Sequence, residues 1–587
     1  TSNGTTLTGK DGTKVSVPNV PNFSASSNYG SLTSVGRGFA VTANHVKNAE
    51  TADNTRKFGL TDYQIANQPI GDDNKPIYGI SGSYGWDSKF LRFNKYIVEG
   101  QAELLNTQNS LLPNADETTK QQNLTAFKNE LEKLKDNGKI YLYQAGSGEV
   151  MLYSDNKFFA KFNLSNGEIK GGGFGTLEAQ QYGKCNICEN TTTQGIVFNY
   201  VPDKNFKNVF TKGDSGSGVY AFDKNNNQWI LLGVVSQTYI QIGGDEGKVS
   251  FVSKKDLENY QKNFEKSVNL NSGSWTISGL NLNSNNNSWQ SLDNNKDIIF
   301  SGGGNVEVKS NVDRMQSGYA GGFVFEKADA LTTYKFTNTG NHFFKGSGLD
   351  IGQNVVVEWA LGTQKGDSLH KIGKGELKIT DSKGDNGTLK IGEGKVTLNT
   401  DKKAFDNIYI TSGRGELALV SGKAQALGAS PTSTNGVNSA NSTTLANSYT
   451  LAQESTNNMG FYFGKGGGKF DLAGNSLVLN TIAANDSKAI ITNSNTGQAV
   501  DLEIQGFGYE SNAKTNKKAD TIIHASIGDN ANGANLNLIY KGEKTPINSH
   551  SERSEESINT NSVDSSATLS PQNDKSLDLR NDNNLTQ

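Results

Sequence analysis

Sulfur-containing residues and proline are scarce in this chain. Only 2 Cys, 3 Met and 9 Pro occur among 587 residues, and no run of 18 apolar residues is present. The lack of such a run excludes a membrane-spanning helix, which needs about 20 consecutive apolar residues. The formal net charge of -3 provides no basic surface for nucleic acid or anionic lipid. No charged-then-apolar signal peptide opens the sequence, so we expect Thr1 to be a processed N-terminus or a chosen boundary.

The two cysteines, Cys185 and Cys188, form a CxxC pair. A zinc site would need two further ligands, and neither another cysteine nor a nearby histidine supplies them. A redox motif would require a βαβ setting, which the sequence does not show. We therefore predict a small disulfide-closed loop, which would suit an oxidising, extracellular setting. No metal and no cofactor are predicted.

Gly, Asn, Ser and Thr are abundant instead, and β-forming residues lie between them. Runs such as "VGRGFAVTANHV" and "WILLGVVSQTYI" predict short strands over residues 1–253. One helix interrupts them, because Leu124, Phe127 and Leu131 recur at intervals of three and four. A second helix is predicted at 254–267, where it would connect two domains.

The pattern of apolar and polar residues changes after the second predicted helix. Over residues 268–545, segments such as "GELKIT" and "GTLKIGEGKVTLNT" alternate apolar and polar residues and are separated by Gly or Asn. Repeated units of one or two strands and a turn predict a stacked β-solenoid, with an array of β-sandwiches as the alternative. Residues 546–587 are polar and of low complexity, so we predict a disordered tail.

The stretch "TKGDSGSGVY" contains a candidate nucleophile, Ser215, within a glycine turn. A serine hydroxyl needs a base to accept its proton, and histidine is the usual base near neutral pH. The chain has 5 His, and only His45, in "GRGFAVTANHV", lies in the first 341 residues. A plain glycine turn and a structural histidine are the alternatives. We favour a nucleophile and its base, because both stand in the same predicted domain.

The glycines beside Ser215 have a further predicted use. The backbone amides of Gly213 and Ser215 are predicted to form an oxyanion hole for a tetrahedral intermediate. Gly213 and Gly216 permit backbone angles that other residues resist. A catalytic triad also needs an acidic residue to orient the histidine. Ten aspartates lie between His45 and Ser215 or adjoin the serine, and residue chemistry alone does not choose among them.

Several stretches carry a resemblance to a known family. "GDSGSGVYAFDKNNNQWILLGVVS" resembles the nucleophile region of chymotrypsin-like serine proteases, except that Gly218 stands where proline is usual. The chain also resembles the passenger of Gram-negative serine protease autotransporters, the group that includes the immunoglobulin A proteases. The stretches that resemble this group are "DSKFLRFNKYIVE", "YLYQAGSGEVMLYSD", "GDSLHKIGKGELKI" and "FYFGKGGGKFDLAGNSLVLNTI".

The resemblance implies an all-β fold and a domain order. It implies a chymotrypsin-like double β-barrel protease domain at 1–253, followed by the helical connector at 254–267. A right-handed parallel β-helix would form the passenger stalk at 268–545, before the tail at 546–587. It further implies a precursor with a signal peptide and an outer-membrane β-barrel translocator, neither of which is in this chain. The passenger would be a monomer, secreted or held at the cell surface.

The resemblance also implies the roles of residues in proteolysis. Asp87 falls where the family has its catalytic aspartate, with Arg92 and Lys95 in register. The implied mechanism has Ser215 as the nucleophile and His45 as general base and then acid. Protein substrates are implied, and the alternative is an adhesin whose protease domain is vestigial.

Specificity residues are implied in the same way. Val209 would lie at the base of the primary substrate pocket, Thr238 would stand at its wall, and Ser236 would be a further substrate-binding residue. Because valine offers no carboxylate to lysine or arginine, we expect a preference for apolar or small side chains before the scissile bond.

Overall fold

A computed structural model gives the fold of the chain. The residues that it describes are 6–8, 14–16, 21–46, 55–67, 87–108, 110, 117–135, 139–146, 150–154, 157–162, 171–178, 196–198, 201–202, 213–241, 244–284, 289–382, 386–431, 448–451, 460–479, 481–504, 523–528, 536–540 and 566–568. The predicted tail at 546–587 lies outside the described residues except for 566–568.

The chain divides into two compact units. The N-terminal unit contains Thr1–Lys266 together with two short later segments, Asn295–Asp297 and Met315–Gly321. The C-terminal unit contains the rest of the chain, namely Ser267–Asn294, Ile298–Arg314 and Gly322–Gln587.

Seventeen strands and two α-helices lie among the described residues of the first 261. The strands are β1 (Thr6–Thr8), β2 (Lys14–Ser16), β3 (Thr33–Gly36), β4 (Phe39–Thr42), β5 (Thr55–Phe58), β6 (Thr61–Gln64), β7 (Lys89–Arg92), β8 (Glu103–Leu104), β9 (Lys139–Gly146), β10 (Val150–Ser154), β11 (Lys157–Phe162), β12 (Gly171–Glu178), β13 (Ile196–Phe198), β14 (Val201–Pro202), β15 (Gly218–Asp223), β16 (Gln228–Gln241) and β17 (Gly244–Phe251). The helices are α1 (Glu117–Glu132) and α2 (Lys254–Gln261).

Two of the sheets in the N-terminal unit carry the predicted site. One is three-stranded and antiparallel, in the order β3-β4-β7. The other has eight strands, in which β13-β17-β16-β15-β9-β12-β14 follow one path and β8 pairs with β16. The core includes Phe39 and Phe90 from the first sheet and Leu231 and Val235 from the second. Apolar side chains of both sheets are therefore buried in one core, and this burial favours their association.

Helix α2 is shorter than the predicted helix at 254–267. It begins with a capping box between Ser253 and Asp256 and ends at Gln261, followed by a 3₁₀ turn and then by a strand from Glu265. The helix ends early because the backbone from Glu265 onward is hydrogen-bonded in a strand ladder. The aromatic ring of Phe264 is fully buried against Tyr260, 5.2 Å between centroids, within the core of the N-terminal unit.

Strands are the main regular structure in the remainder of the described chain. The strands are β18 (Glu265–Asn269), β19 (Ser274–Ser278), β20 (Asn281–Ser284), β21 (Trp289–Ser291), β22 (Asp297–Ser301), β23 (Gly304–Val308), β24 (Val312–Asp313), β25 (Phe323–Phe325), β26 (Thr332–Asn338), β27 (Phe344–Lys345), β28 (Leu349–Ile351), β29 (Val355–Trp359), β30 (Ser368–Ile372), β31 (Glu376–Ile379), β32 (Thr388–Leu398), β33 (Asn407–Leu419), β34 (Ala429–Pro431), β35 (Ser448–Leu451), β36 (Gly460–Phe463), β37 (Gly468–Asp471), β38 (Ser476–Leu479), β39 (Thr481–Thr492), β40 (Val500–Ile504), β41 (Ile523–Ile527), β42 (Leu536–Tyr540) and β43 (Ser566–Thr568).

Parallel stacking dominates these later strands. From β22 onward, most strands pair in parallel with strands of the next coil, as in β22-β25-β28-β30 and β23-β26-β29-β31. The pairs β34-β35 and β42-β43 are antiparallel. Side chains in register stack inside the coils: the ring of Phe300 lies 5.3 Å from that of Phe325, which is in register with Ile351. The prediction of an all-β chain with a stacked parallel solenoid is therefore confirmed.

No helix among the described residues is both long and apolar enough to cross a membrane.

Candidate active site

The register of two short strands brings His45 and Asp87 together. Strand β4 leads into the turn that carries His45, and β7 begins two residues after Asp87. The strands are antiparallel, with Thr42 opposite Lys89. Extending that register by two residues places Asn44 opposite Asp87, and the Asn44 amide donates to the Asp87 carbonyl at 3.1 Å. The two side chains meet although 42 positions separate them.

The Asp87 carboxylate accepts hydrogen bonds from three donors. The backbone amide of His45 donates to Oδ1 at 3.0 Å, and the imidazole Nδ1 of the same residue is bonded to Oδ2. The hydroxyl of Ser236 also donates to Oδ2, at 2.8 Å. With Nδ1 bonded to the carboxylate, Nε2 is the ring nitrogen left to accept a proton in the neutral imidazole. The His45 side chain is 48% exposed, so the ring is open to solvent.

Lys89 holds the turn that contains His45. Its ammonium group donates to the backbone carbonyl of Asn44 at 3.1 Å and to that of Val46 at 2.9 Å. These two residues flank His45 on both sides. Because Lys89 is itself buried, we infer that these two bonds fix the backbone of the turn. Sequence reasoning missed this role, because only the register of β4 and β7 shows which loop the lysine reaches.

The environment of His45 raises its pKa above the ordinary value of 6.5. The hydrogen bond to Asp87 is the main cause, and burial opposes it by lowering the pKa. The charge of Asp87 adds to the rise, whereas the charge of Lys89 lowers the pKa. The pairing with a carboxylate therefore stabilises the imidazolium, the form that a general base reaches after it takes a proton.

Ser215 stands in a tight turn immediately before β15. The Ser217 amide donates to the Asp214 carbonyl at 2.9 Å and closes a four-residue turn. Gly216 has φ +84° and Gly213 has φ +100°, conformations that favour glycine at both positions. Ser215 is partly exposed, whereas Asp214 and Ser217 are buried. The turn thus leaves Ser215 partly exposed, with a buried residue on each side at Asp214 and Gly216.

The same turn packs directly against the strand that leads to His45. A Cβ atom built on Gly216 would lie 2.4 Å from Thr42 Oγ1, 2.4 Å from the Ser31 carbonyl and 3.2 Å from the Ala43 amide. Only glycine leaves room for this approach. Ser215 is consequently held beside a segment that ends two residues before His45.

Strand β16 connects the serine turn to Asp87. The Gly216 amide donates to the Val235 carbonyl at 2.7 Å, and the Val235 amide donates to the Ser217 carbonyl at 2.9 Å. The next residue, Ser236, binds Asp87 through its hydroxyl. The resemblance placed Ser236 at the substrate pocket, and in the structure its hydroxyl is bonded to the carboxylate of Asp87.

The other predicted site residues are less fully described. Thr238 lies in β16 opposite Gly247, and only its backbone is described. Val209, Cys185 and Cys188 lie outside the described residues, so the predicted pocket base and disulfide stay predictions. Within the described part of the chain, no three His, Cys, Asp or Glu side chains are grouped so as to hold a metal ion.

The arrangement in the N-terminal unit can be compared with known proteins. Residues 2–256 match the immunoglobulin A1 protease family. Over 538 residues, the chain is 30% identical to the serine protease pet autotransporter of Escherichia coli O44:H18, covering 89% of this chain and 34% of the relative. It is 31% identical over 314 residues to the IgA-specific serine endopeptidase autotransporter of Neisseria gonorrhoeae, covering 50% of this chain and 18% of the relative. The chain thus spans about a third or less of these curated relatives.

Two solved structures share the fold. The passenger domain of plasmid encoded toxin from enteroaggregative Escherichia coli has a TM-score of 0.63 at 25% identity, covering 90% of this chain and 49% of that chain. The Haemophilus influenzae Hap adhesin has a TM-score of 0.64 at 19% identity, covering 92% of this chain and 57% of that chain. Both TM-scores show a fold shared with this chain.

Proposed function

We propose that this chain, whose residues 2–256 match the immunoglobulin A1 protease family, is a serine endopeptidase that cleaves proteins. The observation that carries the proposal is the hydrogen-bonded pair of His45 and Asp87 beside the glycine turn of Ser215. A histidine oriented by a carboxylate, next to a serine exposed on a rigid turn, is what acyl transfer requires.

Each group has a defined role in the proposed reaction. The Ser215 hydroxyl attacks the scissile carbonyl carbon while His45 takes its proton, giving a tetrahedral oxyanion and an imidazolium. The amides of Gly213 and Ser215 donate to that oxyanion. Collapse breaks the C–N bond, His45 gives its proton to the leaving amine, and an acyl-enzyme forms. Water then attacks the ester by the same route and releases Ser215. Asp87 orients His45 and stabilises the imidazolium throughout.

The class of substrate follows from the pocket prediction. Val209 at the base of the pocket and Thr238 at its wall would favour an apolar or small side chain before the scissile bond, with Ser236 as a further substrate-binding residue. The name of the Neisseria relative specifies IgA, whereas for this chain we propose only the broader class of extracellular proteins. We also propose secretion or surface display by a Gram-negative bacterium, from a precursor with a separate translocator.

The domain assignment belongs to the same proposal. The protease domain would occupy 1–253, and the β-helix stalk would occupy 268–545. Between them, α2 and the turn after it would form the connector, although Leu257 and Tyr260 are buried in the core of the N-terminal unit. The stacked coils would serve as a long scaffold rather than as part of the catalytic site.

An adhesin with a vestigial protease domain is the competing function. The similarity to the Hap adhesin, at 19% identity, supports a shared fold and not a shared function. A domain that had lost catalysis would have no need to keep the Asp87 carboxylate bonded to both His45 and Ser236. The retained network therefore favours the endopeptidase.

A fluorophosphonate probe tests the proposal directly. The wild-type chain should form a covalent adduct, and peptide mapping by mass spectrometry should place it on Ser215. Ser215→Ala should not be labelled. Ser274→Ala serves as the matched control, since it removes an exposed serine hydroxyl at the start of β19 and should leave Ser215 reactive. A folded wild-type protein that resists the probe and does not cleave casein would favour the adhesin.

The raised pKa of His45 sets an expected pH dependence. The general base must be neutral, so kcat/KM should rise with pH through a midpoint above 6.5. The raised pKa also adds to the free energy of unfolding. This contribution is fully present below about pH 6.5 and is lost as pH rises through the pKa of His45 in the folded protein. Hydrolysis of a peptide substrate from pH 5 to 9 measures the midpoint. An acid limb centred below 6.5 would contradict the role given to the bond with Asp87.

A further inference from the structure

Two buried polar side chains stand behind the serine turn and have no role in the reaction above. Ser217 is fully buried, and Gln144 of β9 is 4% exposed. The Gln144 amide nitrogen Nε2 donates to Ser217 Oγ at 2.9 Å. Ser217 Oγ donates in turn to the backbone carbonyl of Asp214 at 2.5 Å. Sequence reasoning singled out neither residue, because 73 positions separate them.

The direction of these hydrogen bonds is fixed by the number of protons. The Asp214 carbonyl has none, so the Ser217 hydroxyl must supply the hydrogen between the two oxygens. That hydroxyl has only one proton and can therefore only accept from residue 144. The side-chain nitrogen of Gln144, rather than its oxygen, must face Ser217. Hydrogen-bond donation therefore runs one way, from Gln144 through Ser217 to the Asp214 carbonyl. We call this series of two hydrogen bonds the relay.

The last acceptor in this series belongs to the peptide unit that contains the Ser215 amide. The peptide bonds of the described residues are all trans, and in a trans peptide the C=O and the N–H point in opposite directions. The Asp214 carbonyl accepts from both the amide and the hydroxyl of Ser217, which hold it toward the buried side. The amide of Ser215 is thereby turned the other way, away from Ser217.

We propose that Gln144 and Ser217 are positioning residues that orient the Ser215 amide for oxyanion binding. The inference rests on the endopeptidase function proposed above. Burial of both side chains strengthens their hydrogen bonds and excludes competing water. Strand β9 holds the turn from a second side, because a Cβ on Gly146 would lie 2.2 Å from Asp214 Oδ1. The turn is thus oriented by the strand behind it as well as by its own glycines.

Kinetics of three variants test the relay. Ser217→Ala should lower kcat about 10- to 100-fold, and Gln144→Met about 3- to 10-fold, because removing one oxyanion donor outright costs about 10²- to 10³-fold. The substrate is a peptide nitroanilide chosen because the wild type hydrolyses it. Its KM should change less than about threefold, since the variants leave ground-state binding of the substrate unchanged. The double variant should resemble Ser217→Ala, because Gln144 acts only through Ser217.

A peptide aldehyde of the same sequence separates positioning from folding. Its hemiacetal oxygen occupies the oxyanion hole, so its dissociation constant should rise by the same factor as kcat falls. A merely structural role would reduce the active fraction and leave that constant unchanged. Tyr143→Phe is the control, since it removes a hydroxyl from the residue that precedes Gln144 in β9 and should leave both values at the wild-type level.

The outcomes separate this inference from the function on which it rests. If the wild type is active and both single variants keep its kcat and its aldehyde affinity, the relay is wrong and the endopeptidase stands. Additive losses in the double variant would also overturn the relay, because they would show that Gln144 acts independently of Ser217. A wild type that neither hydrolyses peptides nor reacts at Ser215 would overturn both proposals. If Ser217→Ala does not fold, the affinity of Gln144→Met for the aldehyde tests the relay by itself. An unchanged dissociation constant would overturn the relay.

Discussion

Replacing His45 with alanine should lower kcat by about 10⁵- to 10⁶-fold, a loss typical for removal of the histidine from a serine protease triad. Without the imidazole, nothing takes the proton from Ser215, and nothing returns it to the leaving amine. Folding should change little, because the His45 side chain is half exposed and the Ser236 hydroxyl continues to donate to Asp87. Stopped assays with a peptide nitroanilide measure the loss, and thermal melting checks the fold.

His342→Ala is the matched control for this variant. His342 belongs to the C-terminal unit and should be dispensable for hydrolysis, so its replacement should leave kcat within about twofold of wild type. Labelling by the fluorophosphonate should slow in His45→Ala and stay normal in His342→Ala. A folded His45→Ala protein that retains more than a tenth of the wild-type kcat would remove His45 from the role of general base.

Asp87→Asn should lower kcat by about 10³- to 10⁴-fold, or about 4 to 5.5 kcal/mol of transition-state stabilisation. An asparagine keeps the size of the side chain but brings two N–H donors where Asp87 only accepts. If its nitrogen faces the imidazole, Nδ1 must become an acceptor and Nε2 carries the proton, which is the wrong tautomer. If its nitrogen faces the His45 amide instead, two donors oppose each other. That opposition disfavours the second arrangement, so the first prevails, and in it Nε2 cannot accept the proton of Ser215.

Asp62→Asn provides the control for the change of charge. Asp62 is exposed on β6 of the same unit, opposite Lys57, and its replacement should leave kcat within about twofold of wild type. Circular dichroism and melting should stay near wild type for both variants, since neither changes the volume of the side chain. Should Asp87→Asn retain near-normal turnover, another carboxylate would have to orient His45, and the triad would need reassignment.

Some features of the protein could be predicted from the sequence, and one prediction was partly wrong. The alternation of apolar and polar residues after 268 predicted the stacked strands, because a coil of a solenoid is built from contiguous residues and repeats its own pattern. The resemblance chose Asp87 from ten aspartates, which residue chemistry did not. The helix predicted at 254–267 was too long, since the strand pairing that ends it near Glu265 comes from residues further along the chain.

By itself, the sequence determined the glycine turn around Ser215, the isolation of His45 in the first half of the chain and the all-β class. These depend on residue type and short spacing. Only the tertiary structure decided which side chains meet: the β4–β7 register brings Asp87 to His45, β16 brings Ser236 to Asp87, and β9 brings Gln144 to Ser217. Such contacts join residues that are far apart in the chain. Strand register and burial determine which residues meet, and neither can be predicted from a local sequence pattern.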